Sequence, residues 1–146
     1  QQRWRGEVRD LAGGIAVVND AYNANPDSTE AALRLLAETP VEGRRIAVLG
    51  LMAELGASAD ELHREIGAVA ARSRVDIVIA VGDQARAYLD GAGSGVDGHW
   101  VADPDAAAHL LADLARAGDR VLVKGSRAAG LEVVPDLLAE RREARP

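Results

Sequence analysis

Cysteine is absent from the 146 residues, which excludes a disulfide framework, a thiolate metal site and a cysteine nucleophile. Nothing in that usage forces an extracellular address. No apolar run approaches the roughly 18 residues needed to cross a bilayer, no signal-peptide pattern opens the chain, and a cytoplasmic location follows by default. Acidic residues outnumber basic ones, 23 to 17, and the net charge of −6 argues against general nucleic-acid binding, which demands clustered Lys and Arg. Lysine occurs once, at Lys124, and its position therefore carries weight. Three catalytic signatures are missing too: a G-x-x-x-x-G-K-[ST] phosphate loop, paired histidines at metal spacing and a G-x-S-x-G nucleophile turn. Without a phosphate loop, the chain has no visible means of carrying phosphoryl chemistry by itself.

What is present suffices for one domain. An apolar content of 48% over this length supports a single core that buries roughly 68–70% of the unfolded surface. The chain opens on Gln1 rather than methionine and turns strand-like within a few residues, so it is read as a domain cut from a longer protein.

Trp4–Arg9 alternates weakly and meets the β-branched run Ile15-Ala16-Val17-Val18 across Gly13-Gly14, which predicts a hairpin. The polar stretch Asn19-Asp20-Ala21-Tyr22-Asn23-Ala24-Asn25 then leads into a helix with Asn25 at its N-cap, Pro26 in its first turn and an end near Glu38. Arg45–Gly50 is too uniformly apolar for a surface strand. A helix is expected from Ser58 to Arg72, with Leu62, Ile66, Val69 and Ala70 on one face. Asp76–Gly82 repeats the strand-then-glycine form, and Gln84–Leu89 reads as a brief helix. The glycines of Gly91–Gly98 predict a mobile surface loop rather than a phosphate cradle. His99-Trp100-Val101 is an edge strand, Asp103-Pro104 caps a helix through Arg116, and Arg120–Val123 is a further strand. The last helix carries Leu131, Val134, Leu137 and Leu138, and Pro135 requires it to start late or kink. This alternation argues for a mostly parallel three-layer α/β domain.

Three segments leave apolar strands on one edge of such a sheet: Asn19–Ser28, Gly50–Gly56 and Lys124–Arg127. Ligands of α/β folds bind there. Asp20 either accepts from ribose hydroxyls or merely ends its strand, and Asn25 either contacts a ligand or only caps the helix. Lys124 and Arg127 place two cations at a strand end and helix start, with Ser126 as a possible cap, or they are ordinary turn charges. Glu54 is a loop carboxylate with either a functional or a solvated role. His63 and His109 fall within helices, as surface or packing residues rather than catalytic bases, and His99 has no evident partner.

Asp20-Ala21-Tyr22-Asn23-Ala24-Asn25-Pro26-Asp27-Ser28, the loop Gly50-x-Met52-x-Glu54-Leu55-Gly56, and Val123-Lys124-Gly125-Ser126-Arg127 closely resemble the C-terminal domain of the Mur ligases of bacterial cell-wall synthesis. The first stretch resembles the branch that adds D-alanyl-D-alanine to UDP-N-acetylmuramoyl-tripeptide. The resemblance covers nearly the whole chain. It implies a Rossmann-like domain, with about six strands and an N-terminal hairpin, that closes on a central ATPase domain of the same chain in a monomer. In these ligases ATP and magnesium activate a carboxylate as an acyl phosphate, which the incoming amine attacks; magnesium is held mainly by the central domain. The resemblance places Arg5, Asp20, Tyr22, Asn23 and Asn25 on the nucleotide, and Glu54, Lys124, Gly125, Ser126 and Arg127 toward the incoming dipeptide. One residue departs from the pattern: Leu51 stands where the family usually has an acidic side chain. Two rival readings are a stand-alone nucleotide-binding or regulatory module, and a domain that only buttresses a partner.

Overall fold

A computed structural model describes residues 7–143. Strand β1 (Glu7–Leu11) pairs antiparallel with β2 (Ile15–Asp20), and the connecting turn uses positive φ at Gly13 and Gly14. The expected hairpin therefore forms, although Trp4 and Arg5 lie outside the described residues. Helix α1 (Pro26–Glu38) follows, then β3 (Arg45–Gly50), α2 (Ala59–Arg72), β4 (Ile77–Val81), α3 (Arg86–Ala92) and β5 (Asp97–Val101). Helix α4 (Pro104–Leu114), β6 (Arg120–Lys124) and α5 (Val134–Glu143) complete the order.

The six strands form one sheet in the order β1-β2-β6-β3-β4-β5, parallel except for β1. Alternation along each strand sends side chains to two cores. Ile46, Val48, Ile79, Val121 and Val123 meet Leu111 of α4 and Leu138 of α5 on one face. Ala47, Leu49, Val78, Ala80 and Leu122 meet Leu33 of α1, Ile66 and Val69 of α2 and Tyr88 of α3 on the other. This is the expected three-layer architecture.

Local chemistry accounts for the boundaries. Asn25 caps α1 by accepting from the Ser28 amide at 2.8 Å, and the Ser28 hydroxyl accepts from the Asn25 amide at 3.1 Å, a reciprocal box that satisfies two orphan donors. Asp103 caps α4 through the Ala106 amide. Pro135 sits in the first turn of α5, where no donor is lost, so the helix starts late and is not kinked there.

Two expectations need correction. Gly91–Gly98 is not a mobile loop: Gly91 belongs to α3, a 3₁₀ turn covers Gly93–Gly95, and β5 begins at Asp97. A Cβ on Gly91 would stand 1.7 Å from the Arg64 carbonyl oxygen, and one on Gly67 1.9 Å from that of Tyr88. These glycines serve a close crossing of α2 and α3, which looks like loop composition in a sequence. Likewise, Lys124–Arg127 opens a short 3₁₀ turn rather than an α-helix, and Ser126 stands at its N-cap position without a side-chain capping bond. Two 3₁₀ turns, Arg127–Ala129 and Leu131–Val133, intervene before α5, so α5 does not begin at those cations.

At the opposite end of the sheet, Asp119 is a structural anchor. Its carboxylate receives the Arg44 guanidinium at 2.7 Å together with the backbone amides of Arg44 and Arg116, each at 2.8 Å. Burial alone would raise its pKa most strongly, but the hydrogen bonds and charge of Arg44 and the amide of Arg116 together hold it below the ordinary 3.8.

Candidate functional site

Because β6 inserts between β2 and β3, the three polar segments leave adjacent strands in the order Asn19–Ser28, Lys124–Arg127, Gly50–Gly56. The connections from β2 and β3 turn to the α1–α3 face while β6 leads to α5 on the other, which makes this edge the switch point where open α/β sheets bind ligands.

Asp20 and Lys124 are register partners on neighbouring strands. Alternation places both on the α1 face beside Val18 and Leu122. Lys124 Nζ lies 3.1 Å from Asp20 Oδ2 and donates to the Asn23 carbonyl at 2.8 Å. The lysine side chain is 3% exposed and the aspartate 16%. The single lysine of the chain is therefore an internal brace for the first loop, and the aspartate keeps an accessible edge. An apolar cleft of about 240 Å³ opens beside Asp20, with Val18, Leu35 and Leu122 among its walls.

The other expected nucleotide residues differ in their commitments. Asn23 Oδ1 accepts from the Ala24 amide at 2.9 Å, and Asn25 Oδ1 is taken by its capping bond. Tyr22 is half-buried, with the Arg127 guanidinium 5.5 Å from its ring centroid, so the first and second loops also meet at their tips. Arg5 lies outside the described residues.

On the side expected to face the dipeptide, Arg127 and Glu54 are exposed. Gly125 is required by crowding: a Cβ there would stand 2.9 Å from Leu131 Cδ1 and 3.1 Å from Gly50 Cα. Ser126 ties two loops together by donating its amide to the Leu51 carbonyl at 2.8 Å. Its hydroxyl is buried with no hydrogen-bond partner among the described residues. Leaving such a group unpaired costs about 1–3 kcal/mol, so the hydroxyl fits a site that a polar ligand completes. Glu54 holds φ +63°, a left-handed conformation that non-glycine residues adopt at functional loops more often than elsewhere.

Beyond β3, β4 and β5 a second cleft of about 260 Å³ is lined by Leu51, Gly82, Asp83, Gln84, Pro104 and Ala129, among others. The Gly82 carbonyl accepts the Trp100 indole N–H at 2.8 Å, and the Arg86 guanidinium stacks 3.6 Å from the indole centroid. Sequence reasoning missed this cleft; the glycine closing the strand Asp76–Gly82 was its only visible sign. Tyr88 was not singled out either, and His63, read as a surface or packing residue, is buried beneath the Gly50–Gly56 loop. His99, without a partner in the sequence reading, lies 3.1 Å from Asp97 Oδ1. No group of three or more His, Asp or Glu able to hold a metal forms among the described residues. No helix there is long and apolar enough to cross a membrane.

A doubly wound domain with a polar site at this strand edge is common to many nucleotide-linked enzymes, and comparison narrows it. Residues 4–127 match the family described as Mur ligase, glutamate ligase domain; the chain belongs to that family. Within it, the chain is 41% identical over 157 residues to the UDP-N-acetylmuramoyl-tripeptide--D-alanyl-D-alanine ligase of Mycobacterium tuberculosis (strain ATCC 25618 / H37Rv), covering 93% of this chain and 31% of that protein. It is 40% identical over 132 residues to the ligase of the same name from Escherichia coli (strain K12), covering 89% and 28%. The crystal structure of MurF ligase from Thermotoga maritima in complex with ADP superposes with a TM-score of 0.85 at 30% identity, covering 100% of this chain and 33% of that one. The chain thus spans about a third of the length of the relatives it matches.

Proposed function

We propose that this chain is the C-terminal domain of an ATP-dependent ligase that joins D-alanyl-D-alanine to UDP-N-acetylmuramoyl-tripeptide in peptidoglycan synthesis. The observation that carries the proposal is the composite edge itself. Asp20, braced by Lys124, stands one strand away from the unpaired Ser126 hydroxyl, and Arg127 sits exposed beside them, in a chain about 40% identical to ligases of that name.

In this reading Asp20 offers its accessible edge to the ribose, with Tyr22 and Asn23 alongside. Asn25 contributes mainly by fixing the start of α1, because its side-chain oxygen already caps the helix. Arg5 joins the nucleotide side. ATP supplies the phosphoryl group that activates the tripeptide carboxylate. Arg127 faces the dipeptide carboxylate as counter-charge, and Glu54 and the Ser126 hydroxyl supply polar contacts around it. Gly125 lets the backbone approach. Lys124 acts on the dipeptide only indirectly, since its ammonium is committed to the first loop. The cleft beside Leu51 and Asp83 has small apolar walls and one carboxylate, suited to an alanyl side chain and an ammonium group. No group of three or more carboxylates or histidines able to hold magnesium forms among the described residues, and the ion would be held mainly by the central ATPase domain. Closure of this domain on the central one would position the reactants and keep water from the acyl phosphate.

The 146-residue chain alone is expected to release no ADP in response to D-alanyl-D-alanine, whereas the full-length protein does so with the UDP-muramoyl tripeptide present. Dipeptide-dependent ADP release from the fragment would contradict the division of labour. Its absence from the full-length protein would leave a nucleotide-binding module without ligase activity.

A further inference from the structure

The Gly50–Gly56 loop is held from beneath by two side chains that the ligase reading does not otherwise use. Tyr88 of α3 is fully buried and its hydroxyl donates to the Gly50 carbonyl at 2.7 Å. His63 of α2 is also fully buried. Its Nε2 accepts from the Met52 amide at 2.9 Å, and its Nδ1 lies 2.6 Å from the Ala59 carbonyl oxygen. An Nδ1–H donating to Ala59 is the tautomer that leaves Nε2 as the acceptor. The two rings meet edge to face with centroids 4.9 Å apart.

Simple packing does not call for this chemistry. Leucine at 63 and phenylalanine at 88 would fill the same space without burying polar atoms. Instead both polar atoms are aimed at the backbone of one loop, at Gly50 and Met52. Gly67 and Gly91 bring α2 and α3 into backbone contact, and the crossing sets both rings directly under β3. Above them, Glu54 and Gly56 hold φ near +60°. Such a conformation persists at a glutamate only where its surroundings over-determine it. Burial pushes the Tyr88 hydroxyl up, so it remains a donor.

We infer that His63 and Tyr88 are positioning residues, which act through the Met52 amide and the Gly50 carbonyl to set the Gly50–Gly56 loop against the incoming amine substrate. This rests on the ligase reading. The nucleotide-side loop has its own anchors, Lys124 and the Asn25 cap, so loss of His63 or Tyr88 removes no direct support from it.

The test uses the full-length ligase, with KM measured separately for ATP and D-alanyl-D-alanine. Tyr88→Phe removes one oxygen. His63→Asn retains a donor for Ala59 but no acceptor that reaches Met52, while His63→Gln carries an amide oxygen near the Nε2 position. Tyr88→Phe and His63→Asn are expected to raise the dipeptide KM about tenfold and leave the ATP KM within about twofold, and His63→Gln to recover most of the loss. Equal behaviour of Gln and Asn, parallel rises in both KM values, or no change would overturn the inference. Full-length protein lacking dipeptide-dependent ADP release before any substitution would overturn the ligase reading and this inference with it. Turnover by that protein with unmoved KM values in the variants would overturn the inference alone.

Discussion

Lys124 shows how far one residue type at one position can be read. Its uniqueness and its place after an apolar strand marked it in the sequence, and the structure puts it at the edge where the three loops meet. Its partner was not legible, because Asp20 lies 104 residues away and the pairing depends on β6 inserting between β2 and β3. A brace and a substrate cation predict different kinetics. If the full-length protein is the proposed ligase, Lys124→Met is expected to raise its ATP KM by about tenfold or more through release of Asp20, with a smaller effect on the dipeptide; the separate KM values decide it. Arg127→Ala should show the reverse preference. His63 illustrates a different limit. A histidine on a helical face reads as packing, and its bond to Met52 appears only once the loop folds back over α2.

At the level of elements, boundaries were legible wherever a cap or a proline marked them. Asn25-Pro26 and Asp103-Pro104 both start helices as expected, and Asn25→Ala should lower stability by about 1 kcal/mol in a denaturant titration. Glycine was the misleading letter. Gly67 inside α2 is unfavourable by helix propensity, yet its missing Cβ is what admits α3. Gly67→Ala improves the propensity by about 1 kcal/mol but drives a methyl group into the Tyr88 backbone. A net loss of at least ~2 kcal/mol is expected, read as a lower denaturation midpoint at an unchanged slope. A neutral or stabilising result would mean that the helices can part at little cost.

The whole molecule separates stability from function across the sheet. Asp119 and Arg44 fasten the N-terminal ends of the strands, while the candidate site lies at their C-terminal ends. Asp119→Asn replaces an acceptor facing several donors and should cost about 2–4 kcal/mol at pH 7. Because the folded pKa of Asp119 lies below its ordinary 3.8, this stabilisation is fully present above that value and is lost as pH falls through the folded value. The gap between the original chain and the variant should therefore narrow below about pH 4, as paired denaturation curves would show. The fold class was legible from strand and helix alternation; the strand order that makes one site of three loops was not, because a mostly parallel sheet leaves insertion of the last strand undetermined. The central claim is that this edge binds nucleotide as part of a ligase site. It is tested most directly by steady-state ADP release from the full-length protein carrying Asp20→Ala, with ATP and D-alanyl-D-alanine varied separately. An ATP KM raised about tenfold or more with dipeptide dependence retained is expected; unchanged values for both substrates would contradict a nucleotide role for this edge.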